Sequence, residues 1–539
     1  MKKENKTDRS RVQKYTALCL LLALLISMLT VCAAAEGNIQ YPSGVTEAMC
    51  HAEYWAQKAA DPDKVMMSPQ EIDGYNALAA ATQGTYVLDL EKLAVNYDAS
   101  SLKKALISSV NSSNPTRDLY IDGKMLNKSA YFGALSKAVD DTGWTGSREI
   151  LYGVCVGQTD LMSIPSDDVI GYSKTDADSE FQSSALNLND PVVIKQFCSY
   201  EGKAFYYVES DHCSGWVNTL SVAVCANRAQ WLEAWKTTGE DKDILVVTQN
   251  RIITEPSIFV PETANVKLTL GTTLKLVPAD RIADSYGERF PWNSYVVYLP
   301  TRDSNGSYAR REALISQHYS VSVGFLPMTQ ANIMQVAFSC LGDRYGWGGM
   351  LDAMDCSMFN RNVYRCFGLR MPRNTTWQLL VPGTRIDIGD LSDTIKMEIL
   401  KNTPAGAMLY FPGHTMIYTG YENDTPYVIS ALGSAADSEG ELSVKSVYSV
   451  ALNPMSVRRR NGNTWLSEIT SIVIPANSAG QKYDPTAGII DITPKDACPL
   501  CGKIHYGFWG KIVQALHKAA YFILHLFGIS LSKAVTPAA

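Results

Sequence analysis

Between Tyr345 and Phe367 the chain runs from a glycine-rich approach, Tyr345-Gly346-Trp347-Gly348-Gly349, through Asp355-Cys356-Ser357 into an amphipathic segment. Phe359, Val363, Cys366 and Phe367 fall at helical spacing, and Gly368 and Pro372 stop the pattern. Asp355 is a good N-cap, which puts Cys356 in the first helical turn. The positive helix end and its unpaired amides favour a thiolate there, so the pattern predicts a lowered thiol pKa. The glycines let another backbone come close. Taken alone, Asp-Cys-Ser favours a buried core cysteine at a helix start, so the cysteine needs a partner before it carries chemistry.

That partner is in the second half of the chain. Ala407-Met408-Leu409-Tyr410-Phe411 reads as a strand, Pro412-Gly413 breaks it, and His414 to Gly420 reads as a second strand. Glu422 to Pro426 reads as a turn and Tyr427 to Leu432 as the return strand. His414 stands at a strand start beside glycine, where a side chain can reach a cleft. A cysteine on a helix end facing a histidine on a sheet is the papain-like arrangement of nucleophile and base. His212 and His318 have no comparable sequence setting.

The 539 residues, 46% hydrophobic and 19% charged, are globular in composition. A net charge of −6 argues against a nucleic-acid partner. Residues 1–35 read as an export signal: a basic start, an apolar run from Ala17 to Val31, and Ala33-Ala34-Ala35 as a cleavage site. Cys32 raises lipidation, against which Val31 is bulky. Residues 36–150 read as a mostly helical unit, with Ser68-Pro69-Gln70-Glu71 as a helix start. Two spans, 151–235 and 236–328, alternate short apolar runs with turns and read as small β-barrels. Residues 329–475 are mixed α and β, 476–497 a linker, and 498–539 a cysteine motif with an amphipathic tail.

The motifs carry a family resemblance. Leu341 to Gly349, Asp355-Cys356-Ser357, Pro372 to Gln378 and Gly413 to Gly420 resemble an NlpC-type cell-wall cysteine endopeptidase. Ala52 to Trp55, Thr85 to Asp89 and Gly324 to Thr329 resemble the branch with an N-terminal stabilising domain and two bacterial SH3 domains. The resemblance implies a multi-domain chain: a papain-like α+β catalytic domain preceded by two SH3-like β-barrels and a mostly helical N-terminal domain. It implies hydrolysis of the γ-D-glutamyl-diamino acid bond of peptidoglycan stem peptides or muropeptides, without a metal or other cofactor. Cys356 would be the nucleophile, His414 the base, and Tyr345, Trp347, Asp355, Ser357, Asn374 and Thr375 would contact substrate. In that branch the first SH3 domain walls off the cleft, which restricts substrates to peptides with a free N-terminal L-Ala. Two departures stand out. Met358 replaces a small residue and is expected to narrow the cleft floor. Ser430 stands where the family has His, Asn or Gln as the third catalytic residue. It can accept a hydrogen bond but brings no charge, so a wall-binding protein with a degenerate peptidase domain stays open as the alternative.

Ten cysteines follow the leader, far below disulfide-scaffold density. Cys198, Cys213 and Cys225 are close enough in sequence for pairing, without a decision as to which. Cys498, Cys501 and His505 form half of a zinc site, with redox chemistry or no special role as alternatives. From Phe508 to Phe527 apolar residues mark one helical face with Lys and His elsewhere. That pattern suits contact with a membrane or wall surface, or packing on the protein itself. The expected location is outside a bacterial cell, free or wall-associated.

Overall fold

The computed structural model describes residues 39–176, 178–237 and 242–476. The chain from Ser43 on is one compact unit among the described residues. The leader, nearly all of the linker, the Cys498/Cys501/His505 motif and the tail lie outside the described residues.

The core of the site-bearing region is a six-stranded antiparallel sheet. Its strand order is Gly383–Asp387, Ser471–Pro475, Met408–Phe411, His414–Glu422, Thr425–Ala436 and Val444–Pro454. The helix Cys356–Arg365 packs on the strands His414–Glu422 and Thr425–Ala436. Every residue from Cys356 to Tyr364 is buried, which explains why a helix with Asn360, Arg361 and Asn362 in it needs so many internal partners. Ile388, Leu409, Met416, Val428, Trp465 and Ile472 belong to the apolar core of this region.

Residues 151–225 form a seven-stranded antiparallel sheet ordered Val222–Cys225, Leu151–Cys155, Pro191–Tyr200, Lys203–Glu209, Ser214–Asn218, Thr159–Met162 and Gln182–Leu186. Residues 244–323 form a five-stranded one. The stretch 36–150, expected as one helical unit, is divided between two cores. The capping box at Ser68 forms with Glu71 and starts the helix Pro69–Ala81. This helix and its neighbour Ala52–Ala56 serve the six-stranded sheet region. Trp55 packs on Tyr427 with ring centroids 5.1 Å apart, and Asn76 donates to Gly368 O at 2.9 Å. The helices Ala99–Ser112 and Lys128–Asp140 instead share a core with the seven-stranded sheet, where Leu106, Phe132 and Leu135 meet Phe181, Phe205 and Trp216. The physical reason is area: each helix has one short apolar stripe, and each stripe is covered by the nearest sheet.

The glycine turn joins the first sheet to the site. Gly348 and Gly349 have φ of 64° and 90°. A Cβ on Gly348 would meet Gln182 O at 2.3 Å, and one on Gly349 would meet Ala185 Cβ at 2.7 Å. The turn therefore lies directly on the strand Gln182–Leu186. Met358 is buried beneath it, its sulfur 2.9 Å from that same Gly349 position, and does not line the cleft. The expected narrowing by Met358 is thus corrected: the long side chain fills space under the turn. Gly348→Ala should lower stability by about 1–3 kcal/mol, because it forces both a left-handed backbone and a backbone clash. Chemical denaturation measures this; an unchanged midpoint would contradict the described contact.

Candidate active site

Asp355 caps the helix as its sequence position predicts, accepting from Met358 N at 2.9 Å. It also accepts from Gly348 N at 3.2 Å and Ser357 Oγ at 3.1 Å. Arg373 grips the same carboxylate with both terminal nitrogens, one at 3.1 Å, and donates to Ser357 Oγ at 2.8 Å. Asp355 and Arg373 are 6% and 3% exposed, so this is an ion pair out of water. Burial opposes ionisation of Asp355, but the Arg373 charge and these hydrogen bonds hold its carboxyl below the usual range. Asp355 and Ser357 are therefore both engaged by Arg373 at the helix start.

A second tier continues from Arg373 into the seven-stranded sheet. Arg373 Nε donates to Ser184 Oγ at 3.1 Å, and Ser184 Oγ lies 3.3 Å from His212 Nε2. His212 Nδ1 lies 2.6 Å from Asp211 and 2.8 Å from Arg361 Nη2. One turn further along the nucleophile helix, Arg365 pairs with Asp190, with one contact at 3.1 Å. Three arginines thus tie the segment carrying Cys356 to the preceding sheet. No sequence signal singles out His212; its setting comes from the fold, which buries it at 1% exposure beside Asp211 and Arg361.

Cys356 is 8% exposed, and one turn into its helix Asn360 donates to Thr415 Oγ1 at 2.9 Å. Thr415 directly follows His414, so the start of the strand His414–Glu422 meets the start of the helix. His414 Nε2 lies 3.2 Å from Ser430 Oγ, and Ser430 is fully buried on the adjacent strand. The imidazole packs between Phe411 and Trp465, with centroids 5.2 and 5.4 Å away. The helix start does not lower the thiol pKa as the sequence pattern predicts. Burial, then the Asp355 charge, push Cys356 up to about 12. Burial, then the Arg459 charge, lower His414 to about 3. Desolvation outweighs the helix end here, so both groups rest neutral.

Cys356, His414, Tyr345, Trp347, Asp355, Ser357, Asn374 and Thr375 all line one cleft of about 1080 Å³. Ser430 stands behind His414. The cleft is completed by Glu180, Gln182, Glu209, His212 and Cys213 from the seven-stranded sheet, and by Arg459 and Arg460. Tyr86 stacks on Trp377 at 4.3 Å and adds a wall from the N-terminal stretch. Cys198, Cys213 and Cys225 are free thiols, as are the other cysteines among the described residues. Among those residues no group of three His, Cys, Asp or Glu could hold a metal ion.

Two predictions follow from the buried charges. Cys356 alkylation by iodoacetamide, read by mass spectrometry of its peptide, should rise about tenfold per pH unit through pH 7–9. A plateau below pH 7 would reveal a resting thiolate instead. His212 is lowered to about 4 by burial, then by Arg361, against the opposing Asp211 and Asp190. Between about pH 6.5 and 4 the unfolded chain therefore binds a proton that the folded chain does not. Stability should fall with pH across that window, by up to about 1.4 kcal/mol per unit. Melting temperatures of the wild type and His212→Gln from pH 7 to 5 test this; equal slopes would contradict it.

Residues 342–446 match the model of the NlpC/P60 family. A solved structure of a novel NlpC/P60 endopeptidase from Photobacterium damselae subsp. piscicida aligns over 81% of this chain and 99% of its own, at 16% identity and a TM-score of 0.60. That likeness extends the shared fold well beyond the family segment. An NlpC/P60 family protein from Bacillus cereus aligns over 55% of this chain and 82% of its own, at 15% identity and a TM-score of 0.35, too low to carry weight. No curated protein matches the sequence.

Proposed function

We propose that this chain, which carries an NlpC/P60 domain at 342–446, is an exported cysteine endopeptidase that hydrolyses the γ-D-glutamyl-diamino acid bond of peptidoglycan stem peptides. The observation that carries this is the meeting of two element starts on one cleft: Cys356 at the head of a helix whose Asn360 bonds Thr415, and His414, the residue before Thr415, oriented by Ser430.

With Nε2 engaged by Ser430, His414 Nδ1 is the nitrogen left to act on the thiol. It takes the Cys356 proton as sulfur attacks the γ-glutamyl carbonyl carbon. The oxyanion is received by backbone amides at the helix start. The C–N bond then breaks, the leaving amine takes the proton from His414, and an acyl-thioester remains. Water, deprotonated by His414, releases the acid and restores the thiol. A neutral resting pair suits a general-base mechanism, in which charge develops only as the bond forms.

Asp355 and Ser357 act by fixing the helix start, being held by Arg373. The substrate's terminal amine instead meets Glu180, a half-buried cleft carboxylate with no ion pair or side-chain hydrogen bond among the described residues. Tyr345, Trp347, Asn374 and Thr375 supply the remaining walls. The seven-stranded sheet closes one end of the cleft, which supports action on short peptides with a free N-terminus over intact wall.

One observation favours a second reading, a wall-binding protein with a degenerate site: the third residue is an uncharged serine and the thiol is pushed up. Incubation with L-Ala-γ-D-Glu-meso-diaminopimelate separates the two. Wild type should release L-Ala-D-Glu and Cys356→Ala should not. His414→Ala should lose about 10³-fold in kcat and Ser430→Ala about tenfold, with KM little changed. No release by the wild type, with wall retained in a pull-down, would favour the binding protein.

A further inference from the structure

Carboxylates and guanidinium groups both line the cleft. On the cysteine side stand Tyr345, Trp347 and the unpaired carboxylate of Glu180. On the histidine side the lining runs through Phe411 and Trp465 to Arg459 and Arg460. Arg459 is already engaged. It bonds Glu468 at 2.9 Å and Pro412 O at 3.3 Å, and its guanidinium lies 4.5 Å over the Phe411 ring. Arg460 is exposed, lines the same cleft, and has no hydrogen bond, ion pair or ring contact among the described residues. A guanidinium is always charged and offers a planar fork of donors that matches a carboxylate.

The chemistry orients the substrate between these two sides. The imidazole that protonates the leaving amine must face it, so the residues beyond His414 border the leaving amino acid. The α-carboxylate of that amino acid lies one carbon from the scissile nitrogen, close to the zone that Arg459 already fills with charge. Arg460, next to Arg459 in the chain, exposed and lining the same cleft, is free to meet the far end of a long side chain. A lysine would bring an ammonium there, which a free guanidinium repels. A diamino diacid brings the same ammonium with a carboxylate on the same carbon, and the guanidinium binds that carboxylate.

We propose that Arg460 is a specificity-determining residue: it receives the side-chain carboxylate of the leaving diamino acid and selects meso-diaminopimelate over lysine. This rests on the peptidase reading above and deepens it.

The test uses the full chain and three peptides, L-Ala-γ-D-Glu followed by meso-diaminopimelate, by L-Lys, or by L-Lys amide, with kcat/KM as readout. Wild type should favour the diaminopimelate peptide by about tenfold or more, the scale of one charge-assisted contact. Arg460→Gln should lose that preference by falling on diaminopimelate alone, and Arg460→Glu should favour lysine. Equal rates of the wild type on the first two peptides, or an equal loss on all three in Arg460→Gln, would overturn the assignment. A loss seen with L-Lys but absent with its amide would give Arg460 to the α-carboxylate and also overturn it. Cleavage of none of the peptides by the wild type would instead remove the peptidase reading itself, and this assignment with it.

Discussion

The buried pair of Arg373 and Asp355 sets the geometry of the whole cleft. One carboxylate caps the nucleophile helix, receives the glycine turn and neutralises a guanidinium, all out of water. Removing either partner would strand a charge in the interior, at a cost of several kcal/mol. A single interaction therefore fixes three things at once: where the helix begins, how the turn lies on the neighbouring sheet, and where Cys356 points. From Arg373 the network continues through Ser184 to His212, Asp211 and Arg361.

That continuation makes the site a property of two sheets. The family segment supplies cysteine and histidine, but Arg361, Arg365 and Arg373 meet their oxygen and nitrogen partners on residues 184–212. The preceding sheet thus serves both as a wall of the cleft and as counter-charge for the helix that begins at Cys356. Its position explains how a helix so rich in polar residues can be buried from Cys356 to Tyr364: Asn360 bonds Thr415, and Arg361 and Arg365 reach Asp211 and Asp190.

Much of this was legible from residue pattern. Asp355 announces a helix start, His414 a strand start beside glycine, and Ser68 with Glu71 a capping box; each is a local rule, and each element begins there. Ser430, picked by aligning strands, does face His414. What stayed hidden depends on contacts between distant segments. The thiol pKa follows from burial and then from the Asp355 charge, which override the helix end that the local pattern emphasises. His212 and Arg460 sit in unremarkable sequence; only the fold buries one between charges and leaves the other unpaired in the cleft lining. The helices of 36–150 read as one unit because pattern gives an apolar stripe but not the sheet that covers it.

The proposed mechanism centres on a transient covalent bond from Cys356 to the γ-glutamyl group. Rapid quenching of the protein with L-Ala-γ-D-Glu-meso-diaminopimelate, followed by peptide mapping, looks for that bond directly. The predicted result is an L-Ala-γ-D-Glu adduct confined to the peptide that contains Cys356, absent from Cys356→Ala. Product release by the wild type with the adduct on another residue, or unaffected by Cys356→Ala, would contradict it.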